Sequence, residues 1–325
     1  MPPIVIAHRG ASGHRPEHTL AAYELGARQG ADYLEPDLVS TRDGDLVARH
    51  ENEISETTDV ADRPEFAERK STKTIDGATM TGWFVEDFTL AELKTLRAKE
   101  RIPALRPQNT EHDGRHEIPT FQEIIDLVAR LSKELGRPVG IYPETKHPTY
   151  HRSIGLPVEA ALVDALRRNG LDHAEANVFV QSFEVENLKA LRGELAVPLV
   201  QLLGAPDNCP ADDSARSYGE LAAPNALQEI AEYAAAVGPS KLHIVPRDGA
   251  GASLPPTRFV EHAHAAHLLV HPYTFRRENR FLPAELRSGD GPAAPGDLVS
   301  ELRQFFALGV DGVFTDFPDI ASTAR

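Results

Sequence analysis

The first fifty residues place reactive polar side chains at the ends of strand-like runs. His8 and Arg9 directly follow an apolar run, Glu35 and Asp37 lie two residues apart, and His50 closes a short apolar stretch. Histidine transfers protons near neutral pH, carboxylate oxygens bind divalent cations, and arginine pairs with phosphate oxygens. The combination predicts a metal-assisted site that cleaves a phosphate ester.

A second polar pair in "GIYPETKHP", Glu144 and Lys146, has the same two-residue spacing. Residues two apart on a strand share a face, so we expect Glu35, Asp37 and Glu144 to converge at one mouth. Three carboxylates form an all-oxygen set, which favours one Ca²⁺, with Mg²⁺ as the alternative, over zinc. Arg9 and Lys146 are expected to bind phosphate.

Each of these signals also has an ordinary structural interpretation. A histidine at a strand end is often only hydrogen-bonded, "E-P-D" is compatible with a solvated strand edge, and Glu144 with Lys146 is compatible with a surface ion pair. The joint occurrence favours chemistry. His14 and His18, at the start of the first helix, are expected to be surface or capping residues.

The elements that must position these groups alternate between strand-like and helical patterns. The eight principal strand candidates are "PIVIA", "DYLEPDLV", "PVGIYPE", "NVFVQSF", "VPLVQLL", "KLHIVP", "HLLVHPY" and "DGVFTD". "DLVARH" follows the second of them after the turn signal Asp43-Gly44, and Thr120 with Glu123 forms a capping box. This alternation predicts an α/β fold, a (β/α)8 TIM barrel, as one domain over residues 1–325.

One interval, residues 51–117, breaks the alternation. It is rich in charge and contains the single tryptophan, Trp83. We expect a small insertion after strand 2 that rises from the catalytic face, with a capped short helix over residues 89–96. Trp83 either lines the substrate site or anchors the core of the insertion.

Composition excludes several classes of protein. The 325 residues include 49 acidic and 34 basic side chains, for a net charge of −15, which argues against nucleic acid and against stable association with an anionic membrane. Cys209 is the only cysteine, so no intrachain disulfide can form. The first apolar run is too short for a signal peptide.

The motifs "AHRGASGHRPEHTLAAY", "GADYLEPDLVSTRDGDLVARHE", "IPTFQEII", "GIYPETKHP" and "VFTDFPD" resemble the glycerophosphodiester phosphodiesterase family. "TGWFVEDFTLAELKTL", "QSFEVENLKAL" and "LVHPYTFRREN" are similar to its bacterial periplasmic-type branch. The resemblance covers essentially the whole chain and implies a barrel with an insertion after strand 2.

The resemblance also implies roles for individual residues. His8 and His50 match a catalytic histidine pair, the three carboxylates match metal ligands, Arg9 matches a phosphate-binding arginine, and Lys146 matches the lysine near it. Phe183 and Tyr273 are expected to flank the glycerol moiety, or else to pack within the barrel. Glu51 departs from the family pattern, which has aspartate after the second histidine.

The implied reaction is metal-dependent hydrolysis of glycerophosphodiesters, such as glycerophosphocholine or glycerophosphoethanolamine, to glycerol 3-phosphate and an alcohol. The alternatives are a lysophospholipase D or phosphoinositide phospholipase C activity, and a sensor that binds these diesters without turnover. The sequence as written predicts a cytoplasmic protein, or a periplasmic or secreted one if an export signal has been trimmed. It does not predict the oligomeric state.

Overall fold

Strands and helices alternate along the computed structural model, which describes residues 2–325. The strands are β1 (Ile4–His8), β2 (Tyr33–Glu35), β3 (Asp37–Ser40), β4 (Leu46–Ala48), β5 (Ser71–Ile75), β6 (Ala78–Gly82), β7 (Gly140–Ile141), β8 (Glu144–Thr145), β9 (Val180–Ser182), β10 (Leu199–Leu203), β11 (Ala236–Pro239), β12 (Leu269–Val270) and β13 (Gly312–Thr315). The helices are α1 (Leu20–Arg28), α2 (Leu90–Leu93), α3 (Phe121–Leu135), α4 (Pro148–Ser153), α5 (Val158–Arg168), α6 (Val185–Arg192), α7 (Tyr218–Leu221), α8 (Pro224–Ile230), α9 (Phe259–Ala265), α10 (Leu298–Ala307) and α11 (Pro318–Ala324).

The strands close into a barrel of eight parallel positions. One ladder runs β13-β1-β2-β7 and the other runs β12-β11-β10-β9-β8-β3, with β4 antiparallel to β3. Asp311 N–H donates to the Val270 carbonyl at 2.9 Å and closes the barrel between β12 and β13. The predicted TIM barrel is confirmed, as is the hairpin at Gly44, whose φ is +89°.

Two barrel positions are each divided by a proline. Pro36 separates β2 from β3, and Pro143 separates β7 from β8, because proline has no N–H to donate to a ladder. The proline carbonyls still accept: Glu144 N–H donates to Pro36 at 2.9 Å, and Gln181 N–H donates to Pro143 at 2.9 Å. The two divided strands therefore stay in register where their acidic side chains emerge.

The predicted sixth strand was wrong. "KLHIVP" does not form a strand; Lys241–His243 is a 3₁₀ turn, and the strand is β11, five residues earlier. The β-branched Ile244 and Val245 favoured the wrong segment, whereas Gly238 and Pro239 obscured the right one. A Cβ at Gly238 would lie 2.5 Å from Leu202 Cδ2, so a larger residue there needs the buried Leu202 side chain to shift.

The 51–117 segment has its own small core on one side of the barrel. It contains the hairpin β5–β6 and the short helix α2. A capping box formed by Thr89 and Glu92 begins α2, so the predicted capped short helix is present. Trp83 is buried among Phe66, Phe88 and neighbouring aliphatic side chains, and its Nε1 donates to the Phe66 carbonyl at 2.7 Å. The structure thus supports the interpretation of Trp83 as an anchor of this core.

The outer helices pack an apolar face against the barrel, and the predicted capping box of Thr120 and Glu123 starts α3. Tyr142 and Phe314 fill the barrel interior below the mouth, where the Tyr142 hydroxyl meets His271 Nδ1 at 2.8 Å. Within residues 2–325, none of the helices combines the length and the apolar character that crossing a bilayer requires.

Candidate active site

Strand register brings the predicted acidic residues together at the carboxyl ends of the strands. Across the ladders, His8 is paired with Glu35, Asp37 with Glu144, and Glu144 with Gln181. Paired residues on parallel neighbours project side by side, about 4.8 Å apart. The mouth of the barrel therefore collects side chains that are far apart in sequence.

Glu35, Asp37 and Glu144 are buried and offer carboxylate oxygens that all lie within 4.8 Å of one another. Burial, followed by the charges of Asp37 and Glu144, raises the pKa of Glu35 well above its usual range. Burial together with Asp37 also raises the pKa of Glu144 to about 8, against the opposing charge of Lys146. Such mutual repulsion is typical of carboxylates arranged around a cation.

Asp37 is the ionised member of the cluster. Burial opposes its charge, but the hydrogen bond from His18 and the charges of His50 and Lys146 hold its pKa well below normal. Its Oδ1 atom is buried and has no hydrogen-bond partner among the described residues. An orphaned carboxylate oxygen beside two other carboxylates fits a divalent cation with oxygen ligands.

The expectation that His18 is a surface or capping residue was wrong. His18 is fully buried, and its Nε2 lies 2.9 Å from Asp37 Oδ2 while its Nδ1 lies 2.6 Å from the Tyr23 hydroxyl. Because the carboxylate only accepts, Nε2 carries the proton and Nδ1 accepts from Tyr23. His18 therefore orients Asp37 from behind, and Thr19, the next residue, is the N-cap of α1.

We expect His18→Phe to weaken binding of a divalent cation by about 10–100-fold, the usual cost of losing an outer-shell partner of a metal ligand. Calorimetric titration with Ca²⁺ measures the change, and thermal unfolding verifies that the variant is folded. Tyr23→Phe is the matched control, because it keeps the bond between His18 and Asp37. Parent-like affinity in folded His18→Phe would contradict this role.

His8 lies at the end of β1 with Nδ1 2.6 Å from Asp316 Oδ1. Arg106 and Arg276 hold Asp316 Oδ2 at 2.6 Å and 2.8 Å, which keeps the pKa of Asp316 well below normal despite burial. His8 therefore donates through Nδ1. Its Nε2 is left for the cavity that His8 lines.

His50 has a matching arrangement. Its Nδ1 is hydrogen-bonded to Glu51, and its Nε2 lies 3.4 Å from Lys146 Nζ. Glu51 is held in turn by Arg101 at 3.4 Å, a contact supplied by the 51–117 segment. The glutamate that departs from the family pattern therefore still reaches the ring nitrogen.

Arg9 and Lys146 lie beside the carboxylates rather than apart from them. Arg9 adopts a left-handed backbone, with φ +59°, and its N–H donates to Glu35 Oε2 at 2.7 Å. Its NH1 donates to Glu17 at 3.0 Å. Lys146 Nζ is 3.1 Å from Glu144, and the carboxylates raise its pKa even though burial opposes the charge.

The cavity at the mouth measures about 340 Å³ and is lined by His8, Arg9, Glu35, Asp37, His50 and Glu144. Phe183 and Tyr273 also line it, with ring centroids 6.0 Å apart in an edge-on arrangement. Lys146 borders an adjoining cavity and reaches over the Phe183 ring at 5.7 Å. The structure thus brings all nine predicted site residues to one region.

Sequence reasoning placed Gln181 and Asp316 at strand ends but assigned no positioning role to the residues that hold this set. Glu17, His18 and Gln181 contact Arg9, Asp37 and Glu35 directly, and Arg106 contacts Asp316. The segment "PEHT" held the signal for the first two, because two titratable residues precede a threonine cap. Arg106 gave no signal, since its partner is 210 positions away.

The model of the glycerophosphoryl diester phosphodiesterase family matches residues 8–320 of the chain. The chain belongs to this family. Members are hydrolases, and the predicted family resemblance and enzyme class are confirmed. The glycerophosphodiester phosphodiesterase GDPD6 of Arabidopsis thaliana is 36% identical over 97% of this chain and 84% of its own length. A glycerophosphodiester phosphodiesterase of Haemophilus influenzae is 31% identical over 97% of this chain and 88% of its own length.

Solved structures of the family share the barrel. A glycerophosphoryl diester phosphodiesterase of Silicibacter pomeroyi superposes with a TM-score of 0.67 at 21% identity, covering 100% of this chain and 94% of that one. A phosphodiesterase of Oleispira antarctica, solved with the product sn-glycerol-3-phosphate, gives 0.64 at 22% identity, covering 99% and 96%. These matches establish the fold of the family member described here.

Proposed function

We propose that this family member hydrolyses glycerophosphodiesters to glycerol 3-phosphate and an alcohol with the help of one divalent cation and two histidines. The observation that carries the proposal is the pairing of two carboxylate-oriented histidines with a buried three-carboxylate cluster in a single mouth. A site that only binds the diester, without cleaving it, needs neither feature. The Oleispira relative retains sn-glycerol-3-phosphate, which is the phosphate product expected here.

Glu35, Asp37 and Glu144 are the proposed ligands of the cation, Ca²⁺ first and Mg²⁺ as the alternative. Their hard oxygen donors suit either ion. When bound, the cation neutralises phosphate charge and orients the hydroxyl groups of the substrate. Arg9 and Lys146 add positive charge next to the phosphate, where negative charge accumulates in the transition state.

His8 and His50 are the proposed acid–base pair. One accepts the proton of the glycerol C2 hydroxyl as that oxygen bonds to phosphorus, and the other donates a proton to the alcohol oxygen as its bond to phosphorus breaks. Water then opens the resulting cyclic phosphate to glycerol 3-phosphate, with the two histidines exchanging roles. Burial, then Arg9, lowers the pKa of His8 to about 4 and that of His50 well below normal. The negative charge of a bound phosphodiester raises both pKa values and so favours protonation of the acid.

A soluble diester suits the mouth better than a membrane lipid. The exposed large apolar side chains of the described residues are Ile154, Leu242, Leu254 and Leu269. Only Leu242 lines the cavity, so the mouth lacks the contiguous apolar rim that a lipid surface would contact. Phe183 and Tyr273 remain proposed walls for the glycerol moiety.

A turnover assay tests the proposal directly. We expect stoichiometric release of choline and glycerol 3-phosphate from glycerophosphocholine, and little release of lysophosphatidic acid from lysophosphatidylcholine. Saturable binding of glycerophosphocholine without product would favour the sensor alternative and refute hydrolysis.

A further inference from the structure

The cavity at the mouth is electrostatically divided. Its carboxylates, Glu35, Asp37 and Glu144, all belong to the second and third barrel positions. The loop that follows β11, the sixth position, supplies Lys241 and Arg247, and the segment that follows β12, the seventh position, supplies Arg276. In a barrel of eight positions, the sixth and seventh lie across from the second and third. The cations therefore face the carboxylates across the cavity; we call Lys241, Arg247 and Arg276 the cationic wall.

The carboxylates that pair with the cationic wall lie behind it. Lys241 Nζ is 2.7 Å from Glu301, Arg247 NH2 is 3.3 Å from the same carboxylate, and Glu301 is only 2% exposed. Neither Glu301 nor Asp316 lines the cavity. A ligand in this half of the cavity therefore meets the cations and not their counter-charges.

The cationic wall also retains free hydrogen-bond donors. Arg276 uses Nε for Asp316, and its two terminal nitrogens have no hydrogen-bond partner among the described residues. Among the described residues, the Lys241 ammonium group donates a single hydrogen bond, to Glu301. Arg276 stacks on Phe281 at 4.6 Å, which fixes the plane of the guanidinium. Oriented donors of this kind match the oxygens of a phosphate or carboxylate.

A cationic alcohol is repelled by such a wall, and a neutral one accepts only the weaker hydrogen bonds that an uncharged oxygen makes. The scissile phosphate is accounted for elsewhere, because it must lie between His8 and His50, beside Arg9 and Lys146. The glycerol moiety carries no charge. The part of the substrate left to face the cationic wall is the alcohol that departs.

We propose that the cationic wall is a subsite for an anionic group on the departing alcohol, so that diesters whose alcohol bears a second phosphate or a carboxylate are preferred substrates. This inference rests on the proposed function and narrows its substrate class. Arg247 is the diagnostic residue, because Arg276 contacts Asp316, the partner of His8, whereas Arg247 contacts neither histidine.

The experiment compares kcat/KM for two matched substrates, glycerophosphoglycerol and the same diester with a phosphate on its terminal hydroxyl. We expect the parent to prefer the phosphorylated diester by about tenfold, the range of a hydrogen bond to a charged group. Arg247→Gln should abolish most of that preference, Arg247→Lys should retain part of it, and added salt should reduce it in the parent. A diester of glyceric acid tests whether a carboxylate replaces the phosphate.

Arg280→Gln is the matched control, because it removes the same charge from an exposed position outside the cavity. An unchanged preference in Arg247→Gln, or an equal loss for both diesters, would overturn the subsite; the equal loss would assign Arg247 to the scissile phosphate. Turnover of glycerophosphocholine with no preference for the anionic diester would refute the subsite while leaving the proposed function intact. Absence of turnover on every diester would refute both.

Discussion

Replacing either His8 or His50 by alanine is expected to slow hydrolysis of glycerophosphocholine by roughly 10²–10⁴-fold, the usual contribution of general acid–base catalysis. Both rings are held by a carboxylate at Nδ1, so each offers Nε2 to the reaction. The double variant should lose less than the product of the two single losses, because the pair acts on one transition state. Steady-state turnover measures all three values.

The leaving group distinguishes the acid from the base. A nitrophenyl phosphodiester departs without protonation, so loss of the acid should slow it far less than glycerophosphocholine. One of the two alanine variants should show this rescue and the other should not. His264→Ala is the matched control: it removes an exposed histidine that pairs with Asp311, at the opposite end of the barrel. Equal loss on both substrates in both variants would refute the assignment.

Removal of the divalent cation is expected to abolish turnover, and Ca²⁺ or Mg²⁺ should restore it. Glu35→Gln, Asp37→Asn and Glu144→Gln each delete a proposed ligand charge, so each should weaken cation binding by more than the roughly 10–100-fold cost of an outer-shell change. Ca²⁺ should raise the melting temperature of the parent, since it binds only the folded chain, and should do so much less in these variants. Glu186→Gln, exposed on α6, is the control.

Cation binding should also depend on pH in a defined direction. Because the pKa of Glu144 is raised to about 8, the ion must displace a proton from the cluster below that pH. Affinity for Ca²⁺ is therefore expected to fall as pH falls from 8, with proton release seen as buffer-dependent heat in calorimetry. Full activity of protein shown by elemental analysis to be metal-free would contradict the metal dependence.

The positions of the acidic residues were predictable because a strand has a strict two-residue period. Glu35 with Asp37, and Glu144 with Lys146, needed only that period and the rule that parallel strands end at one mouth. The barrel followed from the alternation of elements. Hydrophobic pattern misplaced the sixth strand because β11 is short and ends in Gly-Pro, while the following turn contains isoleucine and valine.

The groups behind the site were not predictable, because their partners are distant in sequence. His18 meets Asp37 only after β1 turns back through the left-handed Arg9 and His18 itself, whose φ values are +59° and +53°. Asp316 meets His8 only when the barrel closes, since these residues are 308 positions apart. Residue types therefore indicated the chemistry, whereas the orientation of the side chains depends on contacts that form only when the barrel closes.

The contacts of Asp316 restrict which 51–117 segments of related proteins can replace the one in this chain. The Asp316 carboxylate accepts hydrogen bonds from His8, from Arg106 of the 51–117 segment and from Arg276 of the cationic wall. Glu17 likewise accepts hydrogen bonds from both Arg9 and Arg101, and Arg101 belongs to the same segment. A chimaera that imports another 51–117 segment without Arg106 and Arg101 would remove one compensating charge from each of two buried acids in the candidate site. Transplanting or trimming that segment therefore changes the candidate site itself, and we expect recombination to preserve the site best when both arginines are kept.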